Sequence, residues 1–305
     1  MHSQTTTLLW VVLALTAASI EPILIKMGYR AQANPWQLLA LKNIVAAIVM
    51  FFLSSGQLKA IPAIFGKSSM DSSKSTDEPN SAGVPRYSAT TPFWILVISL
   101  LLCSTNVFML FALQRISAVE FITVTTTTPL AVALVNMYLG NDSRGKMFWF
   151  GLILAIVGVI LSIRPGGLSI DLVGLGLALA AVLSSTTYRL RAERLLKTLD
   201  SRLLSFCLFA VNGAVALVIL PFTGAINSAI LVYCLWMGAA AALANLAFIA
   251  AIKDLGATRM SIINLIQRPL VVAGAAIALN EHCTITQWLG IAMVLGGVQM
   301  AQVRP

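Results

Sequence analysis

Apolar residues fall in long runs separated by short polar stretches. Ten runs can be marked, at roughly 6–28, 36–54, 92–113, 118–140, 147–164, 171–189, 203–222, 227–250, 257–279 and 285–303. A helix crossing a bilayer needs about 20 mainly apolar residues, so the pattern predicts an all-α integral membrane protein with ten transmembrane helices. Ala257 to Leu279 is the most informative run. Its 23 residues would extend ~34 Å as a helix. Arg268, the twelfth of them, sits near mid-membrane, where a cation costs at least ~2.5–3.5 kcal/mol on insertion scales and faces a cavity or a partner. Pro269 follows directly. It has no N–H, so the carbonyl of Leu265 loses its helical partner. A freed carbonyl at this depth requires protein or a water-filled cavity beside it. Ser261, Asn264 and Arg268 share one helix face at i, i+3 and i+7. A polar stripe beside a broken helix at mid-bilayer points to a transport site.

Composition agrees with the runs. The 305 residues are 58% hydrophobic and 10% charged, with mean hydropathy +0.89. Soluble domains carry about 25% charged residues, so the chain belongs in a lipid bilayer. The net charge of +9 would suggest nucleic acid in a soluble protein; here the cations lie between apolar runs, and orientation explains them better. Cys103, Cys207 and Cys234 lie inside apolar runs and Cys283 in a short loop, with no CxxC or metal-ligand spacing. No cofactor or metal is expected. The start, MHSQTTT, lacks Lys and Arg and precedes about twenty apolar residues, which reads as a retained first span. The 54–91 stretch, containing KSSMDSSKSTDEPNSAGVP, reads as a disordered connector.

Ten spans would put both termini on one side. That side collects Lys59, Lys67, Lys74, Arg86, Arg144, Lys146, Arg189, Arg191, Arg194, Lys197, Arg202, Lys253, Arg259 and Arg304, fourteen cations. The opposite side has four, Lys26, Arg30, Arg115 and Arg164. The positive-inside rule therefore places both termini and the 54–91 connector in the cytoplasm.

An internal repeat organises the chain further. ALQRISAVEFITVTTTTPLAVALVNMYLGND (Ala112 to Asp142) is answered by AIKDLGATRMSIINLIQRPLVVAGAAIALNE (Ala251 to Glu281). Pro129 matches Pro269, and Gly151 and Gly158 match Gly290 and Gly297, at an offset of 139 that slips to 140 at the prolines. The units are 1–164 and 165–305. Five spans per unit is odd, so the units insert with opposite orientation, and the proline-broken segments mark the interface where secondary transporters hold their substrate.

GATRMSIINLIQRPLVVAGAAIALNEHCTITQWLGIAMVLGGV resembles the last two helices of the drug/metabolite transporter superfamily, in its ten-helix EamA-type branch. The shared features are the Gly-Ala-Thr start, the mid-helix Pro, Asn-Glu at the helix end, Trp-Leu-Gly and the glycine-rich last helix. TTTTPLAVALVNMYLGND followed by FWFGLILAIVGVILSI resembles the matching part of the first half. The resemblance implies a carrier working by alternating access, most often an exporter of small metabolites or amino acids. Departures from the pattern are Ala18-Ser19 in place of Trp-Gly, Asp142 in place of Glu, Lys42 in place of Arg, and Glu21-Pro22 in the first helix.

Candidate substrate-binding residues are Arg268, Lys42, Asn264, Thr128 and Tyr188. A guanidinium binds carboxylate or phosphate bidentately; the competing reading of Arg268 is a structural arginine satisfied by carbonyls that the prolines free. Lys42 lies about 10 Å into its helix and lines a vestibule or snorkels to the interface. Lys26, nearer its helix end, is expected to snorkel. Glu21 lies at a depth comparable with Lys42 and suits either an ion pair with it or the carriage of a coupling proton. Pro129 and Pro269 are the expected helix breaks. Thr125 to Thr128 place hydroxyls around a full turn, and back-bonding to carbonyls accounts for most of them. Asn106, Asn245 and Tyr188 are explained by interhelical hydrogen bonds or by a cavity. Lys42 and Arg268 against Glu21 leave +1, which favours an anionic substrate. The expected partners are a small-molecule substrate, the lipid bilayer and protons as coupling ion, with no nucleic acid; a homo-oligomer stays open. A multidrug efflux carrier is the alternative. An enzyme is disfavoured because His2 and His282 lie outside the runs and no HExxH, GxSxG or paired-carboxylate pattern occurs. No re-entrant selectivity-filter sequence supports a channel.

Overall fold

The computed structural model describes residues 4–56, 90–138, 145–162, 171–280 and 284–302. The expected connector at 54–91 lies outside them apart from its ends, as do Asn141-Asp142 and Glu281 of the repeat. The described residues form twelve α-helices and no strand. These are α1 (Gln4–Arg30), α2 (Pro35–Ser54), α3 (Thr91–Arg115), α4 (Ala118–Thr125), α5 (Thr128–Tyr138) and α6 (Lys146–Ser162). The second half holds α7 (Leu172–Leu195), α8 (Ser201–Ile219), α9 (Ser228–Leu255), α10 (Ala257–Ile263), α11 (Gln267–Leu279) and α12 (Ile285–Gln302). Seven spans, with α4 and α5 taken as one, are long and apolar enough to cross a membrane. Residues 146–162, 267–279 and 285–301 form shorter apolar helices. The chain is a multi-pass membrane protein.

Local sequence sets where these helices begin. Asn34 caps α2, accepting from the backbone N–H of Gln37 while the Gln37 side chain accepts from the Asn34 N–H. Pro35 follows in the first turn, where its missing N–H costs nothing. Ser117 and Glu120 repeat this reciprocal cap at α4. Between α9 and α10 the chain turns in a single residue, Gly256, at φ 83°, a conformation open to glycine without a Cβ penalty.

The two expected breaks are present, a few residues earlier than the prolines. α4 stops at Thr125, a turn at Thr126 and Thr127 follows, and α5 restarts at Thr128. In the second half α10 passes into a 3₁₀ turn, Asn264–Ile266, before α11 starts at Gln267. Pro129 and Pro269 thus occupy the first turn of the restarted helices, where a proline is tolerated. The interruption falls before each proline because the carbonyl four residues earlier, that of Thr125 or Leu265, loses its partner and meets the ring.

Two apolar cores sit at opposite ends of the bundle. One gathers Ile25, Leu38, Leu113, Phe121, Val182, Met237 and Val271 from the helix ends near the α1–α2 turn. The other gathers Ala14, Ile98, Ala192, Leu208, Ile252 and Met260 from the ends near the N-terminus. The polar residues of the spans lie between them. Helix α1 packs along α9, α3 along α7, α2 along α8 and α6 along α12. Glycines permit the last contact: a Cβ on Gly158 would lie 2.6 Å from the Gly290 carbonyl, and one on Gly297 2.5 Å from that of Gly151. A smaller third core forms around this crossing.

Gly158→Ala is expected to destabilise the protein by about 1–3 kcal/mol, because backbone and not a side chain must give way. Gly296→Ala meets nothing within 4 Å and should leave stability unchanged or raised. Thermal unfolding of both variants in detergent checks the contrast.

Candidate functional site

Between the two cores lies a cavity of about 210 Å³ lined from α1, α2, α3, α4, α5, α7, α8, α9, the 3₁₀ turn and α11. The five candidate substrate-binding residues and Glu21 reach it: Glu21, Lys42, Thr128, Tyr188, Asn264 and Arg268 all line its wall. The prolines do not. Pro129 is buried away from the cavity and Pro269 is exposed, so they shape the site by breaking helices. The side chain of Ser261 lies outside the described residues.

Three polar clusters furnish the wall. In the first, Lys42 is 1% exposed and its Nζ lies 2.7 Å from Glu21 Oε1. The same ammonium donates to Asn106 Oδ1 at 2.9 Å. Lys42 therefore points inward to a partner. Glu21 is followed by Pro22, and Ala18, whose carbonyl that proline leaves without a helical N–H, also lines the cavity.

The second cluster joins the two broken helices. Arg268, 5% exposed, donates through Nη1 to Thr125 Oγ1 at 3.0 Å and through Nη2 to the Thr125 carbonyl at 3.1 Å. That carbonyl is the one four residues before Pro129, which the proline cannot satisfy. Thr128 Oγ1 donates to it as well, at 2.6 Å. One half thus supplies the freed carbonyl and the other the guanidinium that caps it. Arg268 Nε is buried without a hydrogen-bond partner.

In the third cluster the Tyr188 hydroxyl donates to Asn245 Oδ1 at 2.8 Å, linking α7 to α9. Asn245 Nδ2 is buried without a partner. Both readings of this pair from sequence hold together: the residues bond between helices and also line the cavity.

Arg189 departs from the sequence reading. The loop count puts it among the cytoplasmic cations, yet α7 continues to Leu195 and Arg189 lines the cavity. Its guanidinium lies 4.6 Å from the centre of the Phe248 ring. The loop asymmetry becomes 13 to 4, one fewer than the fourteen counted from sequence. Thr125 and Gln267, both cavity-lining, were also not singled out as ligands. Its place four residues before Pro129 separates Thr125 from its three threonine neighbours and is the signal that could have found it. Near the α1–α2 turn, Lys26 Nζ donates to the Ile116 carbonyl at 2.6 Å and Arg30 donates to the Leu279 carbonyl. Lys26 thus caps a helix end where snorkelling was expected.

A largely apolar cavity at mid-bundle with a few convergent polar groups is the kind of site a small-molecule carrier needs. The chain belongs to the EamA-like transporter family, whose model matches residues 5–164 and 172–301, consistent with the drug/metabolite transporter superfamily. A solved structure titled "Crystal structure of protein" shares the fold at 16% identity, with TM-score 0.63, covering 98% of this chain and 97% of that one. No curated protein matches the chain.

Removing one member of the Lys42–Glu21 pair leaves a buried charge, a change that costs about 3–5 kcal/mol in buried pairs. Lys42→Met and Glu21→Gln are each expected to lower stability in denaturant titrations. The double variant should recover much of the loss.

Proposed function

We propose that the protein is a secondary carrier that exports a small organic metabolite, an amino acid or other carboxylate, across the inner membrane by alternating access. The observation that carries this reading is the pair of broken helices meeting at a cavity through Arg268 and Thr125. Broken helices at a repeat interface are where secondary transporters bind their substrates.

The ten-span, two-repeat architecture is part of the proposal. Adding the broken 257–279 segment and the short helices 146–162 and 285–301 to the seven long spans gives ten. At 17 residues the shorter ones extend ~25 Å, within reach of a hydrocarbon core of about 30 Å if the bilayer thins. The helix contacts support inverted repeats of 1–164 and 165–305. Under the 139-residue offset, the Gly158–Gly290 contact maps onto Gly297–Gly151. By helix order within the two repeats, the α1–α9 packing maps onto α7–α3. Both termini lie in the cytoplasm on this reading, by the 13 to 4 loop asymmetry.

Arg268 anchors the substrate's carboxylate, with Lys42, Asn264, Thr128 and Tyr188 completing the site. Charge-assisted hydrogen bonds of this kind are worth about 1.5–3 kcal/mol. Glu21 either carries the coupling proton or serves only as the counter-ion of Lys42. Cavity size favours a metabolite over the multidrug alternative: about 210 Å³ falls below the ~300–1,000 Å³ typical of pockets for drug-sized ligands.

In proteoliposomes, Arg268→Ala should reduce the rate of carboxylate uptake at least tenfold, with Arg268→Lys intermediate; unchanged affinity and rate would remove the anchor. Glu21→Gln is expected to abolish the response of flux to an imposed pH gradient. A response equal to wild type would restrict Glu21 to its pairing with Lys42.

A further inference from the structure

The carrier reading leaves open whether the substrate is a zwitterion or an acid, and the cavity wall distinguishes them. A zwitterionic amino acid needs a carboxylate for its ammonium. Among the described residues lining the cavity the only acid is Glu21, and Lys42 already holds it at 2.7 Å. An incoming ammonium would have to displace a buried lysine or share its single carboxylate, and like charges brought together in a poorly solvated site repel strongly. Two groups on the same wall want the opposite chemistry. Arg268 spends Nη1 and Nη2 on Thr125 and keeps a buried Nε–H with no acceptor. That edge of a guanidinium, Nε–H with its neighbouring Nη–H, is a fork matched to a carboxylate.

Asn245 is the second group. Its Oδ1 accepts from the Tyr188 hydroxyl, so Tyr188 fixes which way the amide faces. The orphan end is Nδ2, buried and without a partner. Each unsatisfied buried donor carries a desolvation penalty of about 1–3 kcal/mol, which a ligand oxygen would relieve. Among the described residues the three other buried side-chain atoms lacking partners, on Asn43, Ser205 and Asn212, belong to residues outside the cavity wall. Two wall residues that each carry an orphan donor, beside an acid already engaged, describe a receptor for acceptors alone.

Resting on the carrier reading above, we propose that the substrate is an organic acid bearing a second oxygen acceptor beside its carboxylate and no ammonium group. The carboxylate sits on the Nε edge of Arg268. The second oxygen, a hydroxyl, keto or further carboxylate oxygen, accepts from Asn245 Nδ2. Asn245 is the specificity-determining residue and Tyr188 positions it.

Lactate, propionate and alanine share a three-carbon frame and differ only at C2, in a hydroxyl, a hydrogen or an ammonium. Ligand-induced thermal stabilisation of the purified protein should rank lactate above propionate by about tenfold in apparent affinity, the value of one well-formed hydrogen bond, with alanine weakest. Asn245→Ala should bring lactate and propionate within twofold of one another. Tyr188→Phe, which keeps the amide but releases its orientation, should shrink the lactate preference in a protein with a conservative change. Pyruvate and succinate, run alongside, show whether a keto or a second carboxylate oxygen serves as well as a hydroxyl. Alanine binding as tightly as lactate, with both lost in Arg268→Ala, would overturn the inference and leave the carrier reading standing. A lactate preference unchanged in both Asn245→Ala and Tyr188→Phe would overturn the assignment to Asn245. Stabilisation by no probe, or stabilisation indifferent to Arg268→Ala, would overturn both the inference and the anchor.

Discussion

The architecture of the site depends on one hydrogen-bonded junction, the guanidinium of Arg268 on the carbonyl of Thr125. Pro129 strips the Thr125 carbonyl of its helical N–H, and the Thr128 hydroxyl and Arg268 donate to it instead. Arg268 at membrane depth costs at least ~2.5–3.5 kcal/mol. Two charge-assisted hydrogen bonds to Thr125, at about 1.5–3 kcal/mol each, offset that cost to a first approximation. The balance lets both halves break their helices at the same place. It also leaves a cation whose contacts in this junction are both neutral, and an anion can add to such a group.

Around that junction the bundle divides by polarity along its length. Apolar cores at both ends, anchored by residues such as Leu113 and Leu208, exclude water from the helix ends and confine the polar groups to the middle. Glycine contacts at Gly158 and Gly297 bring α6 and α12 close on the flank away from the cavity. Lys42–Glu21 makes a second, ionic link between α1 and α2 beside the cavity. Two differently bonded clusters thus share one small volume. A substrate that competes for either set of donors would alter how the helices are held together, which is how binding can bias a two-state bundle.

Much of this was legible in the sequence because lipid removes alternatives. A backbone in a bilayer must satisfy itself, so the unbroken apolar runs became helices, several near their expected limits, as at Pro35–Ser54 and Thr91–Arg115. A polar side chain inside such a run has to face protein, which is why Glu21, Lys42, Asn106, Tyr188 and Arg268 all converge on one cavity. The missing parts have equally physical reasons. Arg189 sits in the basic run RLRAER and reads as the exit to a loop, while the stacking of its guanidinium on Phe248 is a tertiary contact. That Arg268 meets Thr125 is partly legible, because Pro129 frees the carbonyl four residues before it, but the approach of the two halves that brings the guanidinium there is a tertiary contact. The direction of the Asn245 amide follows from Tyr188 on a different helix, 57 residues away.

The central claim is that the cavity between the broken helices is where an organic anion binds, held by Arg268. Alkylation of a cysteine introduced by Thr128→Cys, in a background lacking all four native cysteines, Cys103, Cys207, Cys234 and Cys283, tests it most directly. Thr128 lines the cavity and donates to the same carbonyl that Arg268 caps. The account predicts that lactate slows alkylation in a saturable manner and that the protection disappears in Arg268→Ala. An alkylation rate indifferent to lactate, or protection that survives the loss of Arg268, would contradict it.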